Sequence, residues 1–291
     1  MHKIKLMKVI NKKINFYENN GFVIFKNIIP KKIIYNFKRD IYFCSKKLYF
    51  KYSNNKICKI INFSPYNFDK YLLLAKKENL DVVTKSVYDL SKKINSLYQI
   101  AVLPKVQTLI KKIMGTNASA ILDKGMGVRI DYPGDKYYKA RLHTDYHSQL
   151  GSQNGLVMYV PIHKIIKKMG PVILFSKSHL SGVHDCMVDL EKVKKGVTND
   201  PYFIEITKKK LNTYKKKNLY INEGDIAFFN MNLLHESGNN ITKDKIRWSL
   251  IVRYFDLNCP TALEMDFKGG QQSGNIYSFK NGNIDKVYKL T

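Results

Sequence analysis

Arginine is scarce in this 291-residue chain: of 50 basic residues five are Arg, against 23 acidic side chains. The net charge of +27 is therefore carried by 50 − 5 = 45 lysines, which occur in every segment. Nucleic-acid surfaces usually draw on the arginine fork or on aromatics interleaved with cations, and neither clusters here. Lys abounds together with Ile, Asn and Tyr, as a genome rich in A and T would give. We therefore expect a solvated lysine surface and no nucleic-acid partner, with an anionic small-molecule substrate as the other use of the charge. Cysteine is also sparse. Cys44, Cys58, Cys186 and Cys259 form no CxxC pair, which argues against a zinc ribbon or a disulfide framework and favours a reducing, cytoplasmic setting. No apolar run approaches the roughly 20 residues that cross a bilayer. The basic N-terminus lacks the continuous apolar core and small-residue cleavage site of a secretory signal. There is no internal repeat and no low-complexity linker, and a hydrophobic content of 44% is enough for a core. One domain over 1–291 is expected, with a helical part to about 118, a core over about 119–258 and a C-terminal extension over 259–291.

What is present changes character along the chain. The short strand GFVIF precedes a helix over PKKIIYNFKRDIYFCSKKLYF, where Ile33, Ile34, Phe37 and Ile41 recur at helical spacing. Further helices are predicted around VYDLSKKINSLYQIAV and LPKVQTLIKKIMG, the latter stopped by Gly115. From about 119 onward short apolar runs alternate with Gly, Pro, Asn and Asp, as antiparallel strands and turns do. Helices followed by many short strands point to an α+β fold, mainly β, with a jelly-roll barrel packed against the helices.

The chemistry is concentrated in His143-Thr144-Asp145, in His235 about ninety residues later, and in Arg247. In an extended segment residues i and i+2 project to the same side, so His143 and Asp145 can converge on one ion. Two imidazoles and a carboxylate on one face, with the other face open, suit a mononuclear non-haem iron(II) that uses dioxygen. His147, His163, His179 and His184 are alternative third ligands. His147 is too close to the first pair to come from an opposing strand, and His179 fits a turn. Alternation along RWSLIVRYF puts Arg247, Ser249, Ile251 and Arg253 on one face and Trp248, Leu250, Val252 and Tyr254 on the other. A buried Arg247 needs an anion, and the far carboxylate of a bound oxoacid supplies one. Arg253 is read as structural. Arg129 and Arg141 are either substrate or co-substrate contacts or strand-edge charge, and Tyr146, Gln149 and Asn154 are candidate substrate contacts.

The segments ILDKGMGVRIDYPGD, RLHTDYHSQLGSQNGLVMYVPIHKIIKKMGPVILFSKSH and INEGDIAFFNMNLLHESGNNITKDKIRWSLIVRYFD together resemble the phytanoyl-CoA dioxygenase family of iron(II)/2-oxoglutarate oxygenases, and the likeness covers most of the chain. The resemblance implies a double-stranded β-helix of the cupin-like type with flanking N-terminal helices. It implies iron held by His143, Asp145 and His235, and 2-oxoglutarate held by Arg247 and Ser237, with Arg129 a further candidate. Dioxygen is the other co-substrate, and a small molecule is hydroxylated with release of succinate and CO2. Thr144 stands where many members carry Gln, and FSKSH where Pro-Gly-Ser-His is common. Two other readings stay open: a non-catalytic metal- or ligand-binding module, which would need no Arg247, and an oxygenase acting on nucleic acid or protein.

Overall fold

Helical periodicity and strand alternation divide the chain much as expected in the computed structural model, which describes residues 2–54, 60–197, 200–268 and 274–289. Cys58 lies outside them; Cys44, Cys186 and Cys259 are free thiols. The N-terminal elements are α1 (His2–Asn20), β1 (Phe22–Phe25), α2 (Lys31–Tyr52), α3 (Lys70–Lys77), α4 (Asp81–Ser91), α5 (Asn95–Ala101) and α6 (Pro104–Met114). Helix α2 buries Ile34, Phe37, Ile41, Tyr42 and Tyr49 along one stripe. Helix α6 stops at Gly115, whose φ of 68° gives the left-handed cap. Two differences from expectation stand out. The basic N-terminus forms α1, and the helix expected around 87–102 is broken, because Ile94 turns extended (φ −70°, ψ 129°) and inserts into the core.

The strands are β2 (Ser119–Asp131), β3 (Leu156–Pro161), β4 (Val172–Ser176), β5 (Cys186–Val188), β6 (Tyr202–Ile204), β7 (Lys215–Asn218), β8 (Ile226–Asn230), β9 (His235–Ser237), β10 (Arg247–Asp256), β11 (Asn275–Lys280) and β12 (Asn283–Lys289), with a short α7 (Tyr146–Gln149) between β2 and β3. Three antiparallel sheets result, in the orders β1-β8-β3-β10-β2, β12-β11-β5-β6 and β7-β4-β9. No closed barrel is formed among the described residues.

Strand β10 organises the interior by simple alternation. Trp248, Leu250, Val252 and Tyr254 enter the helix-side core with Phe37, Tyr71, Leu97 and Ile110. The Trp248 ring packs edge-on against Phe37, with centroids 6.2 Å apart, a contact adding about 0.5–1.5 kcal/mol beyond area burial. The opposite face of the same sheet (Val157, Tyr159, Ala227, Phe229) meets Leu174, Leu233 and Leu234 in a second core. Polar side chains on that inner face are thus enclosed between two sheets.

His235 does not continue the IAFFN strand. After β8 the chain turns and re-enters as β9 in another sheet, with His235 opposite Leu174 and Ser237 opposite Val172. Gly170 and Gly238 allow this crossing: a Cβ on Gly170 would collide with the backbone around Asn239, and one on Gly238 would lie 2.9 Å from the Gly170 Cα.

Candidate active site

The segment after β2 runs back across the mouth of the sandwich and pairs with β9. The backbones of His143 and His235 exchange two hydrogen bonds, each 3.0 Å. This reciprocal pair fixes their side chains on one side, with ring centroids 4.1 Å apart, and Phe229 backs the His235 ring at 4.9 Å. Each imidazole is oriented in the same way. Nδ1 of His143 donates to the Arg141 carbonyl at 2.7 Å, and Nδ1 of His235 to the Leu233 carbonyl at 2.9 Å. With Nδ1 carrying the proton, both Nε2 lone pairs are free, an arrangement typical of metal-binding histidines. Asp145, two residues beyond His143, places Oδ2 3.5 Å from His235 Nε2, and one potential ligand atom from each of the three residues lies within 4.8 Å of the others. Thr144 points the other way, its hydroxyl donating to His147 Nδ1 at 2.8 Å.

The electrostatics suit a cation. Burial drives His235 down to about 3, assisted by the neighbouring His143, so its ring is neutral. Burial alone would raise Asp145, but Arg253 and the two histidines outweigh it and hold the carboxyl at about 2. Arg253 sits directly on that carboxylate, with both Nε and Nη2 2.7 Å from Oδ1.

Deeper along the same face lies a second polar group. Arg247 is 2% exposed; its Nε and Nη2 reach Asp131 Oδ2 at 3.1 and 2.9 Å, and Nη2 also donates to Ser237 Oγ at 2.9 Å. Asp131 receives Arg129 as well, at 3.0 Å, and Arg129 donates on to the Tyr138 carbonyl. Burial opposes ionisation of Asp131, yet the two guanidinium groups keep its carboxyl below the usual range. Arg247 thus already has one anion, Asp131, which the sequence reading had not foreseen. Two guanidinium groups against one carboxylate leave +2 − 1 = +1, however. Moreover, Arg247 Nη1 is buried without a hydrogen-bond partner among the described residues, near the buried hydroxyls of Tyr159 and Ser249.

A cavity of about 500 Å³ opens onto the first group, lined among others by Lys92, Arg129, Lys139, His143, Asp145, Gln149 and Arg253. The remaining sequence candidates lie elsewhere. Arg141 ties down the 200–202 segment by donating to the carbonyls of Asp200 and Tyr202. Tyr146 is buried against Phe279 of β11, and Asn154 donates to Asp256 at 3.0 Å. His147, held at about 4 by burial, donates from Nε2 to the His184 carbonyl. His163 accepts from the Trp248 backbone N–H, and His179 Nε2 donates to the Glu18 carbonyl at the end of α1. Sequence reasoning missed Asp131 and Tyr159. Asp131 was findable, standing two residues after Arg129 and so on the same strand face.

Known proteins share this fold. In the solved structures, the epimerase SnoN in complex with Fe3+, α-ketoglutarate and nogalamycin RO superposes with a TM-score of 0.58 at 14% identity, covering 89% of each chain. The non-haem α-ketoglutarate-dependent carbocyclase SnoK of nogalamycin biosynthesis gives 0.53 at 12%, covering 88% of this chain and 89% of its own. The non-haem monooxygenase ThoJ gives 0.54 at 12%, covering 85% and 77%. At these identities the likeness is one of fold, the double-stranded β-helix. No curated protein matches the chain. The phytanoyl-CoA dioxygenase (PhyH) family matches over residues 17–248, most of the chain and both polar groups, and the protein belongs to that family.

Proposed function

We propose that the protein is an iron(II)- and 2-oxoglutarate-dependent dioxygenase that hydroxylates a small organic anion, and that the chain forms one domain around this site. His143, Asp145 and His235 are the metal ligands in this reading. The observation that carries it is their convergence within 4.8 Å, with an unsatisfied buried guanidinium N–H further down the same enclosed face.

The residues fit both groups. Two imidazoles and one carboxylate are the donor set of a non-haem iron(II) site with an open face. The excess positive charge around Arg247, together with its orphaned Nη1, fits the far carboxylate of 2-oxoglutarate, since an unpaired buried donor costs about 1–3 kcal/mol. Ser237 steadies Arg247 by accepting from Nη2, and Arg129 acts through Asp131. When bound, iron and 2-oxoglutarate together supply the oxidation of a substrate C–H bond by dioxygen, with release of succinate and CO2. The chain's own work is to aim both imidazoles, hold that of His235 neutral, keep Asp145 ionised, pair the co-substrate's distal charge, and shield the site between two sheets.

Substrate class follows from the cavity. Its volume is of small-molecule size. With Arg253 paired to Asp145 and Arg129 to Asp131, its lining leaves Lys92 and Lys139 against Asp200, an excess of 2 − 1 = 1 positive charge. A non-catalytic binding module would give the Arg247 group no purpose. SnoN and SnoK are an epimerase and a carbocyclase, so the product decides the outcome: hydroxylation adds one oxygen atom, and those two reactions do not.

The test is an anaerobic titration with iron(II) followed by 2-oxoglutarate, then succinate release on admitting air in the presence of candidate carboxylates and phosphates. We expect one iron per chain, 2-oxoglutarate binding only when iron is present, and loss of tight iron binding in His143→Ala and Asp145→Ala. Wild-type protein that binds iron but never 2-oxoglutarate would favour the binding module instead.

A further inference from the structure

Arg253 is treated by the fold as more than a surface cation. On the β3 side it pairs in register with Val157. On the β2 side the ladder slips: Val252 faces Met126 and Tyr254 faces Ile121, so residues 122–125 of β2 bulge out opposite Arg253. Bulges of this kind re-aim a side chain near a site. The guanidinium occupies the space, with Nη1 3.5 Å from the Gly125 carbonyl and its fork on Asp145. Gly125 belongs to the device, since a Cβ there would meet the Leu122 carbonyl oxygen at 2.7 Å.

The contact is one-sided. Two of the three guanidinium nitrogens, Nε and Nη2, approach Oδ1 of Asp145, while Oδ2 is turned towards His235 Nε2. A carboxylate with two free oxygens can take two positions on a metal; one with Oδ1 engaged offers a single oxygen. The distinction matters in a site that must accept a chelating co-substrate as well as dioxygen. Arg253 is 18% exposed and Asp145 3%, so water screens the pair little and the orientation is firmly held.

We propose that Arg253 is a positioning residue that restricts Asp145 to single-oxygen ligation and so keeps the rest of the metal's face open for 2-oxoglutarate. The inference rests on the triad being the iron site. It goes beyond that reading by giving a function to a residue that touches neither His143 nor His235.

The test uses the whole chain, loaded anaerobically with iron(II), and follows 2-oxoglutarate binding by the absorbance of its iron chelate, with no turnover required. In Arg253→Ala, 2-oxoglutarate affinity should fall about 10–100-fold, the usual effect of removing a partner of a metal ligand. Arg253→Lys should fall in between. Added guanidinium ion at millimolar concentration should restore part of the loss in Arg253→Ala, because the emptied space lines the open cavity. Melting of the metal-free proteins is measured alongside. Wild-type affinity in Arg253→Ala would overturn the proposal. So would a loss that neither Lys nor guanidinium repairs, which would mark a packing role. If Arg253→Ala does not fold, Arg253→Lys decides: unchanged 2-oxoglutarate affinity overturns the proposal. Wild-type protein that bound no iron would instead bring down the triad reading, and this inference with it.

Discussion

In the proposed site the guanidinium at position 247 serves two anions, Asp131 and the co-substrate, and its geometry divides the work. Nε and Nη2 are taken by Asp131 and Ser237, while Nη1 has no partner among the described residues and is the donor we propose for the co-substrate. A lysine there would keep the charge and lose the division. We expect Arg247→Lys to weaken 2-oxoglutarate binding to the iron-loaded protein by about 10–100-fold, since hydrogen bonds to charged groups contribute about 1.5–3 kcal/mol. Arg247→Ala should abolish measurable binding and lower unfolding stability by about 3–5 kcal/mol, because Asp131 loses a buried partner. Calorimetric titration and denaturant unfolding read the two effects separately, and undiminished 2-oxoglutarate affinity in Arg247→Ala would remove Arg247 from the site. The sequence carried much of this. Alternation alone put Arg247, Ser249 and Arg253 on one face, and the HxD spacing put two potential ligands on one side. It could not show that Asp131 already compensates Arg247, or that Arg253 meets Asp145. Both pairings depend on strand register and on a bulge, which no single strand's pattern contains.

Among the elements, those with a strong local period were legible and those defined by partners were not. Helix α2 and strand β10 each declare themselves through their own apolar spacing. Strand β9 is three residues long and exists because β4 and the His143 segment flank it. Strands β11 and β12 form a hairpin that packs on α7 and β5, contacts between distant parts of the chain. The turn after β4 shows where this sequence departs from its family. Lys177 is held at φ 71°, ψ −2°, its N–H donating to the Asn20 carbonyl at 3.1 Å, where the family resemblance places Gly. The following Ser178 accepts from the Leu234 N–H at 2.8 Å and so anchors the approach to His235. Left-handed backbone costs a non-glycine residue about 1–2 kcal/mol, offset by about 0.4–1 kcal/mol from glycine's freer unfolded chain. Lys177→Gly should therefore stabilise the protein by up to about 1 kcal/mol, raising the melting midpoint by about 2–4 °C. A lower midpoint would show that the lysine side chain contributes more than its backbone strain costs.

For the molecule as a whole, charge is divided by type. Most lysines spread over the surface, although Lys92 and Lys139 reach the cavity and Lys38 is buried, whereas Arg129 and Arg253 line the cavity, Arg247 lies beneath it and Arg141 braces its wall. The exposed Arg39 pairs with Asp40. A chain at +27 gains further positive charge on acidification, and self-repulsion rises with it. Buried histidines add a steeper effect. His147 has an ordinary value of 6.5 and is held at about 4 by burial, so between those limits the unfolded chain binds a proton that the folded one refuses. Stability therefore falls as pH drops, by about 3 kcal/mol for this one group across its range. His235, at about 3, acts in the same direction, and burial also lowers His163, His179 and His184. Asp69 opposes them. Burial lifts its carboxyl to about 6 despite the Trp248 indole N–H it accepts, so its contribution is greatest at low pH and is lost as pH rises through that value. Five imidazoles outweigh one carboxyl, so the metal-free protein should lose several kcal/mol between pH 7 and about 4.5. Urea unfolding at a series of pH values checks this, and His147→Gln should flatten the slope even where it lowers overall stability. A level profile over that range would mean that these imidazoles are not held neutral, and would reopen the assignment of His147 as a structural rather than a titrating group.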